Sequence, residues 1–558
     1  MIGAKIARTP SVKPPHFPRA ISKEVFPISN TEAELKLRLA DPACLKNLLN
    51  AHLLQELLSQ PAYCQLLETT YYDTADQRLL KSRLSYRLRS ADGKWTATVK
   101  ADGTSDGGLH QRTEYNLSVD NPLPSLEPFM TTAIGPRLAA AVQNMPLEPI
   151  FRTRFNRHIM NLTAPDGSEI ELALDDGDIS AGNKQQQLLE LELELKAGKP
   201  RALIWLGAAL AKDFPLLPEQ NSKLYRATVL AGLADGLGQD SPLPCPLKKS
   251  TAVLPADQLL SQLLIYHIHT TIRAQQTYLS TPDQSATLNQ FRVALSKLHA
   301  LLELSEPLLP GEDYSSYVTS LSAWQEKLDY IHALARFCLG WTESMRSMSN
   351  VLANKAGKPA LIPLVDNKLQ VTKAAFFTEI ATGQCTPVFL GLWSIIEHWS
   401  ANISTTPVSC KKFVRERLAD WLAHLLQQGD NLDPANEEAA HSLYLAGERL
   451  RCALDSLAPA LPGNTGVLYR RLEQLQDALG KILDTAFTLS LLQELVKASA
   501  SRLTHHDSGL ITGWHLARSA TTLENWDRTW SKIRKAAYKV KKLRPLEDEA
   551  IYRRSPEL

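Results

Sequence analysis

From residue 32 onward the chain alternates charged and apolar side chains: Glu32, Glu34 and Lys36 against Ala33, Leu35 and Leu37. Successive side chains of a β-strand point to opposite faces, so this spacing predicts a strand with one charged face. The pattern returns four times. Arg83, Ser85, Arg87 and Arg89 alternate with Leu84, Tyr86 and Leu88; Thr96, Thr98 and Lys100 with Trp95, Ala97 and Val99. Glu169, Glu171 and Asp175 alternate with Ile170, Leu172 and Leu174; Glu190, Glu192, Glu194 and Lys196 with Leu189, Leu191, Leu193 and Leu195.

One charged strand face is usually the wet side of a sheet. Several together, of both signs and with apolar faces rich in Leu and Ile, suit a sheet closed into a barrel with helices outside and charge inside. Carboxylates crowded into a lumen repel one another unless cations join them, which suggests a hard divalent metal. The Arg and Lys residues suggest a polyanion with phosphate-like oxygens. Asp92-Gly93 and Asp166-Gly167 predict hairpin turns. Helical spacing of Leu45, Leu48, Leu49, Leu53, Leu54 and Leu57 predicts one helix over 43–59, and another is expected over 200–212, opened by Pro200.

Gly236, Gly238, Pro242, Pro244 and Pro246 end this region and predict a linker over 233–256. Beyond it the period becomes 3.6. Leu259, Leu260, Leu263 and Leu264 start one helix, and Phe291, Leu295, Leu298 and Leu302 mark a second. Leu418, Trp421, Leu422, Leu425 and Leu426 mark a third, Leu450, Leu454 and Leu457 a fourth, and Leu472, Leu475, Leu479, Ile482 and Leu483 a fifth. The region reads as an all-helical bundle.

The 558 residues carry a net charge of only +2, so no overall field marks a nucleic-acid protein, and any anion site must be local. The seven cysteines are scattered and form no CxxC, which suits reduced thiols in a cytoplasm. No apolar run reaches transmembrane length. Residues 1–29 are basic and Pro-rich, lack the apolar core of a signal peptide, and are expected to be a disordered tail. Residues 546–558 are taken as a C-terminal tail.

At these residues the chain resembles the CYTH domain, the fold of the triphosphate tunnel metalloenzymes. That family opens with ExExK, here Glu32, Glu34 and Lys36. The resemblance continues through Tyr71-Tyr72-Asp73-Thr74, Tyr86-Arg87-Leu88-Arg89, Lys100, Gly107 to Asn116, Leu189 to Glu194, and Asn221-Ser222-Lys223-Leu224. It covers residues 30–232, in the family's order. The stretch Gly107-Gly108-Leu109-His110-Gln111-Arg112 resembles the bacterial inorganic triphosphatase branch, which carries a C-terminal CHAD domain. The resemblance implies Mg2+ or Mn2+ held by Glu32, Glu34, Glu190 and Glu192, with Glu171, Asp175 and Glu194 as further acidic candidates. It implies phosphates clamped by Arg87, Arg89, Lys100, Arg112 and Arg154, with Lys36 and Lys223 beside the reacting groups. Glu114 is expected to pair with a lumen Arg, and His110 to be structural.

The helical region resembles CHAD over 257–545, implying two related four-helix bundles. Asn289 to His299 resembles the first repeat signature, His441 to Tyr444 with Gly447 to Arg451 the second, and Leu475 to Gly480 the segment after it. Such domains bind polyphosphate on a basic concave surface. Here Asn289 stands where the family has His, and Ser296, His299, Tyr444 and Glu448 replace basic positions. Arg292, Lys297, His441, Arg449 and Arg451 remain. Polyanion affinity sums over phosphate contacts, so polyphosphate binding is expected to be weakened. A basic last helix (Lys532, Arg534, Lys535, Lys539, Lys541, Lys542, Arg544) reads as a solvated face. His505-His506-Asp507 reads as a surface cluster in a loop.

The fold class expected is therefore α+β then all-α: an antiparallel β-barrel tunnel with flanking helices, followed by a helical domain. The activity implied is metal-dependent hydrolysis of inorganic triphosphate to pyrophosphate and phosphate, in the cytoplasm. Two alternatives stand beside it. A tunnel could act on thiamine triphosphate or nucleoside triphosphates, or cyclise ATP; Trp95 lies on the outward parity, so no stacking platform is evident. A non-catalytic polyphosphate-binding adaptor is the other. P-loop, HExxH and zinc-spacing motifs are absent.

Overall fold

The structure, a computed structural model, describes residues 31–233, 244–248, 254–309, 313–347, 361–401, 408–433, 435–461, 465–498 and 502–540. The expected tails, most of the linker, and Lys541, Lys542 and Arg544 lie outside the described residues. Two compact units are present. One contains the described parts of Met1–Leu243 with Pro310–Tyr317 and Ala381–Ile395; the other contains those of Pro244–Leu309, Val318–Ile380 and Ile396–Leu558.

The first unit is built on nine strands: β1 (Thr31–Leu39), β2 (Tyr63–Asp73), β3 (Leu84–Ala91), β4 (Lys94–Asp106), β5 (Leu109–Val119), β6 (Glu148–Thr163), β7 (Glu169–Ala181), β8 (Lys184–Ala197) and β9 (Leu216–Pro218). Their order is β5-β4-β3-β2-β6-β7-β8-β1, and β1 pairs with β5 to close an eight-stranded antiparallel barrel; β9 adds to β1. The β3–β4 hairpin turns on Asp92 and Gly93, both at positive φ (49° and 78°), as the dipeptide predicts.

The outer faces of β1, β3 and β4 are apolar and covered. Leu35 and Leu37 of β1 are fully buried. Helix α5 (Arg201–Asp213) comes so close that a Cβ on Gly207 would stand 2.5 Å from Leu35 Cδ2. Tyr86, Leu88, Ala97 and Val99 pack with Leu138 and Val142 of α4 (Gly135–Val142), and Trp95 joins this outer cluster. Helix α6 (Lys223–Leu230) meets a different set. Leu67, Tyr71, Phe151, Phe155, Ile179 and Leu188 face inward and pack with Ala227, Leu224 and Leu230, so α6 stops one end of the barrel with an apolar plug.

The helix expected over 43–59 is broken. Helix α1 (Leu45–Leu49) ends where the Asn50 amide bonds back to the Lys46 carbonyl at 2.8 Å, and extended Ala51 precedes α2 (His52–Leu57). A further short helix, α3 (Arg78–Lys81), follows β2.

The second part of the chain is all-helical: α7 (Ala256–Ser280), α8 (Ser285–Ser305), α9 (Asp313–Ser347), α10 (Leu361–Ala381), α11 (Thr386–Ala401), α12 (Cys410–Asp430), α13 (Glu437–Ser456), α14 (Thr465–Ala498), α15 (Arg502–Glu524) and α16 (Trp526–Lys539). The five helices marked by the leucine periods are all present. His505-His506-Asp507 lies in α15, not in a loop. Among the described residues no helix is long and apolar enough to cross a membrane, and all seven cysteines are free.

Candidate active site

Strand pairing fixes which side chains share the lumen, because partners in register point the same way. Glu32 stands opposite Arg112, Glu34 opposite Glu194, Lys36 opposite Glu192, and Arg38 opposite Glu190. Asp175 lies opposite Glu190 and Arg157, Glu171 opposite Glu194, and Lys100 opposite Glu114.

Deep in the lumen, charge is paired. Lys36 Nζ lies 3.2 Å from Glu34 and 3.4 Å from Glu190 and contacts Glu192. Lys223 Nζ lies 2.9 Å from Asp175, 2.8 Å from Glu190 and 2.7 Å from Glu192. Arg157 donates twice to Asp175 at 2.7 Å and once to Glu192 at 2.6 Å. Burial opposes the charge on Lys36, but Glu192 and Glu34 outweigh it and raise its pKa well above the ordinary value. Burial likewise opposes the Glu192 carboxylate, and Lys223, Lys36 and Arg157 hold it well below the usual range.

Nearer β5, Arg87 pairs with Glu114 at 3.2 Å, while Lys100 bridges Glu114 (2.5 Å) and Glu32 (3.1 Å). Glu114 thus pairs with a lumen Arg, as expected. Burial, opposed by Lys100, pushes Glu32 up to about 8, and a hydrogen bond shared with Glu114 favours its proton. Glu34 is buried too, but Lys36 holds it down to about 2.

Of the lumen cations named from the sequence, Lys36, Arg87, Lys100 and Lys223 are ion-paired. Arg89 and Arg112 make no ion pair among the described residues. Arg89 donates to Thr69 Oγ1 at 3.2 Å, and burial beside Arg87 and Arg157 disfavours its charge. Arg112 donates to His110 Nδ1 at 2.6 Å. Burial and Arg112 push His110 well below the ordinary histidine value.

Arg154 is the exception. It sits on the outer face of β6, exposed, and pairs with Glu68 at 3.0 Å. Arg157 takes the inward position instead. Arg226 is a further lumen-end cation the sequence reading missed, 3.4 Å from Glu190.

The carboxylates divide by their capacity for a cation. Glu190, Glu192 and Asp175 are each held by two or more of Lys36, Lys223 and Arg157, whereas Glu34, Glu194 and Glu171 each meet one lysine. Glu34, Glu194 and Glu171 lie in one row across β1, β8 and β7, with Lys196 reaching Glu194 at 2.7 Å and Glu171 at 3.4 Å. Buried Glu34 Oε1 faces Lys36 Nζ at 3.2 Å as an ion pair without hydrogen-bond geometry. These oxygen donors fit a hard divalent cation in kind. Among the described residues no three such groups already converge on one point, so water and substrate oxygens would have to complete the shell.

In the helical unit, a cleft of about 780 Å³ collects Arg292, His441 and Arg449. Lys297 and Arg451 do not line it; they engage Asp455 and Gln476. The cleft's three arginines face five carboxylates, Glu303, Glu326, Asp329, Glu448 and Asp484. Arg292 bonds Asp329 at 3.1 Å, Arg336 Asp484 at 2.7 Å and Arg449 Glu303 at 3.0 Å. The surface is mixed, not basic.

Residues 30–228 match the family model of the CYTH domain, and residues 372–493 that of the CHAD domain. The chain carries a domain of each. It is 39% identical over 167 residues to the inorganic triphosphatase of Haemophilus influenzae, a match covering 29% of this chain and 46% of that protein. The chain thus spans about half the length of the curated relative it matches. Among solved structures it is similar to a Hippeastrum protein described as having a dominant triphosphatase activity (20% identity, 37% of this chain and 98% of that one, TM-score 0.29). It is also similar to the CHAD domain of the plant Ricinus communis (19% identity, 54% and 95%, TM-score 0.42). Both scores are low, and the barrel rests on its own strand pairing.

Proposed function

We propose that the barrel binds inorganic triphosphate and hydrolyses it to pyrophosphate and phosphate with the help of a divalent cation. One observation carries the reading: among the described residues Arg89 and Arg112 are lumen cations with no carboxylate partner, whereas Lys36, Arg87, Lys100 and Lys223 are paired. An unpaired, partly buried charge carries a desolvation cost, and an anion that brings its own oxygens relieves it. Phosphate oxygens suit the guanidinium fork.

Phosphoryl transfer asks mainly for positioning and charge neutralisation. Arg89 and Arg112 would hold the phosphates, with Arg87 and Lys100 released toward them as Glu32 and Glu114 rearrange. Lys36 and Lys223 keep Glu190, Glu192 and Asp175 neutralised, so the deep wall does not repel the substrate. Glu32, Glu34, Glu194 and Glu171 would hold the cation. When bound, a divalent ion supplies positive charge to the phosphate oxygens as the bond breaks. Mg2+ and Mn2+ both suit an all-oxygen donor set.

The aromatic residues that face the lumen, Tyr71, Phe151 and Phe155, are packed into the plug, and Trp95 lies outside. A nucleobase or thiazolium has no platform among them, which favours free triphosphate. The relative in Haemophilus influenzae, an inorganic triphosphatase, supports the same choice. The test is a comparison of phosphate release from inorganic triphosphate, ATP and thiamine triphosphate at equal concentration. Preference for inorganic triphosphate, with equal yields of pyrophosphate and phosphate, is expected. Faster turnover of either organic substrate would overturn the reading.

A further inference from the structure

Arg112 poses a problem that the tunnel solves in an unusual way. Its guanidinium lies in a wall rich in carboxylates, with Glu32 directly opposite on β1 and Glu34 two residues along. It nevertheless pairs with neither. Nη2 donates instead to His110 Nδ1 at 2.6 Å. His110 is fully buried, and its Nε2 lies 2.8 Å from the Glu219 carbonyl oxygen, with Ser105 Oγ 3.3 Å away. Because arginine can only donate, Nδ1 must accept; because a carbonyl can only accept, Nε2 must carry the proton. The two bonds fix one neutral tautomer. The Arg112 stem is held from the other side: a Cβ on Gly103 would stand 3.2 Å from its Cγ.

We propose that His110 is a positioning residue for triphosphate binding, a neutral acceptor that fixes the Arg112 guanidinium without cancelling its charge. The inference rests on the function proposed above. A carboxylate at the same place would hold Arg112 equally well but neutralise it, as Glu114 does Arg87. An apolar residue would leave Arg112 free to turn to Glu32 or Glu34. A rigid, neutral, buried acceptor avoids both outcomes. Its anchor on the Glu219 carbonyl, three residues before Ser222, the N-cap of α6, ties the arginine to the segment that leads into the plug helix.

Four proteins separate this role from mere packing: wild type, His110→Asn, His110→Gln and His110→Asp. The asparagine side-chain oxygen can occupy the Nδ1 position; glutamine reaches only the Nε2 position and loses the acceptor; aspartate keeps an acceptor but adds charge. The expected order is a KM for inorganic triphosphate within about threefold of wild type for His110→Asn, and raised roughly tenfold or more for His110→Gln and His110→Asp, with kcat changed far less. Melting temperatures and triphosphate affinity by calorimetry, measured without divalent cation, accompany the kinetics. If His110→Asp does not fold, the asparagine and glutamine pair decides alone. Equal KM in those two variants, or a loss that tracks melting temperature in place of KM, overturns the proposal. A wild type that hydrolyses triphosphate while the variants show no such order sinks the role of His110 only. A wild type that neither binds nor hydrolyses triphosphate sinks the tunnel reading and this inference with it.

Discussion

Lys223 occupies the first position of α6, where the helix dipole disfavours a cation. Three carboxylates hold it there, and Ser222 caps the helix by accepting from the Tyr225 N–H at 3.1 Å. Removing one member of such a buried network leaves charge uncompensated, so Lys223→Met is expected to cost about 3–5 kcal/mol of stability by chemical denaturation. Glu32 makes a second prediction. Its folded pKa of about 8 lies above the ordinary 4.5, so the proton it keeps stabilises the metal-free fold. That contribution is fully present below about pH 4.5 and is lost as pH rises through about 8. A divalent cation held by Glu32 replaces the proton, so the rise in melting temperature on adding Mg2+ should grow from pH 6 to pH 9, and Glu32→Gln should flatten that growth. A metal effect independent of pH would contradict the assignment. The face of Glu32, Glu34 and Lys36 was legible because polar and apolar residues alternate cleanly on β1. Arg154 was misread because β6 has no such contrast: its inward face carries Phe151, Thr153, Phe155 and Arg157, so polarity does not mark the lumen where the plug packs.

At the scale of elements, the Tyr71-Tyr72-Asp73-Thr74 stretch divides its work. Tyr71 joins the inner apolar cluster, whereas Asp73 accepts from the backbone N–H groups of Thr74 (2.7 Å), Leu79 (2.8 Å) and Leu80 (3.0 Å) and so organises α3. Bonds to a buried charged acceptor are worth roughly 1.5–3 kcal/mol. Asp73→Ala should lose stability on that scale while KM for triphosphate stays near wild type; a KM effect without a stability loss would place Asp73 in the site. Strand faces and the longer helices were readable from period two and period 3.6. The break between α1 and α2 was not, because the leucine spacing runs through it and a single Asn50 side chain ends the first helix. The helical setting of His505 and Asp507 was hidden similarly, since few apolar positions mark that stretch of α15.

For the whole molecule, a net charge of +2 leaves anion binding to local sites. In the barrel Arg89 and Arg112 meet no carboxylate among the described residues, whereas the helical cleft answers each arginine with a carboxylate. The sequence signalled this only in part: Glu448 and Tyr444 stood out as departures, but the partners Asp329, Glu303 and Asp484 come from other helices and follow no spacing. Long-chain polyphosphate is therefore expected to bind this chain mainly through the tunnel, so Arg89→Ala should weaken binding far more than Arg292→Ala. The reverse order, read by calorimetry at fixed salt, would assign binding to the helical unit. The central claim is tested most directly by phosphate release from inorganic triphosphate, with and without Mg2+ or Mn2+, in wild type and in Glu34→Gln. The account predicts release that requires the divalent cation and falls at least a hundredfold in the variant, roughly the loss of one strong electrostatic contact to the transition state. Release that is independent of the cation, or unchanged in Glu34→Gln, would contradict it.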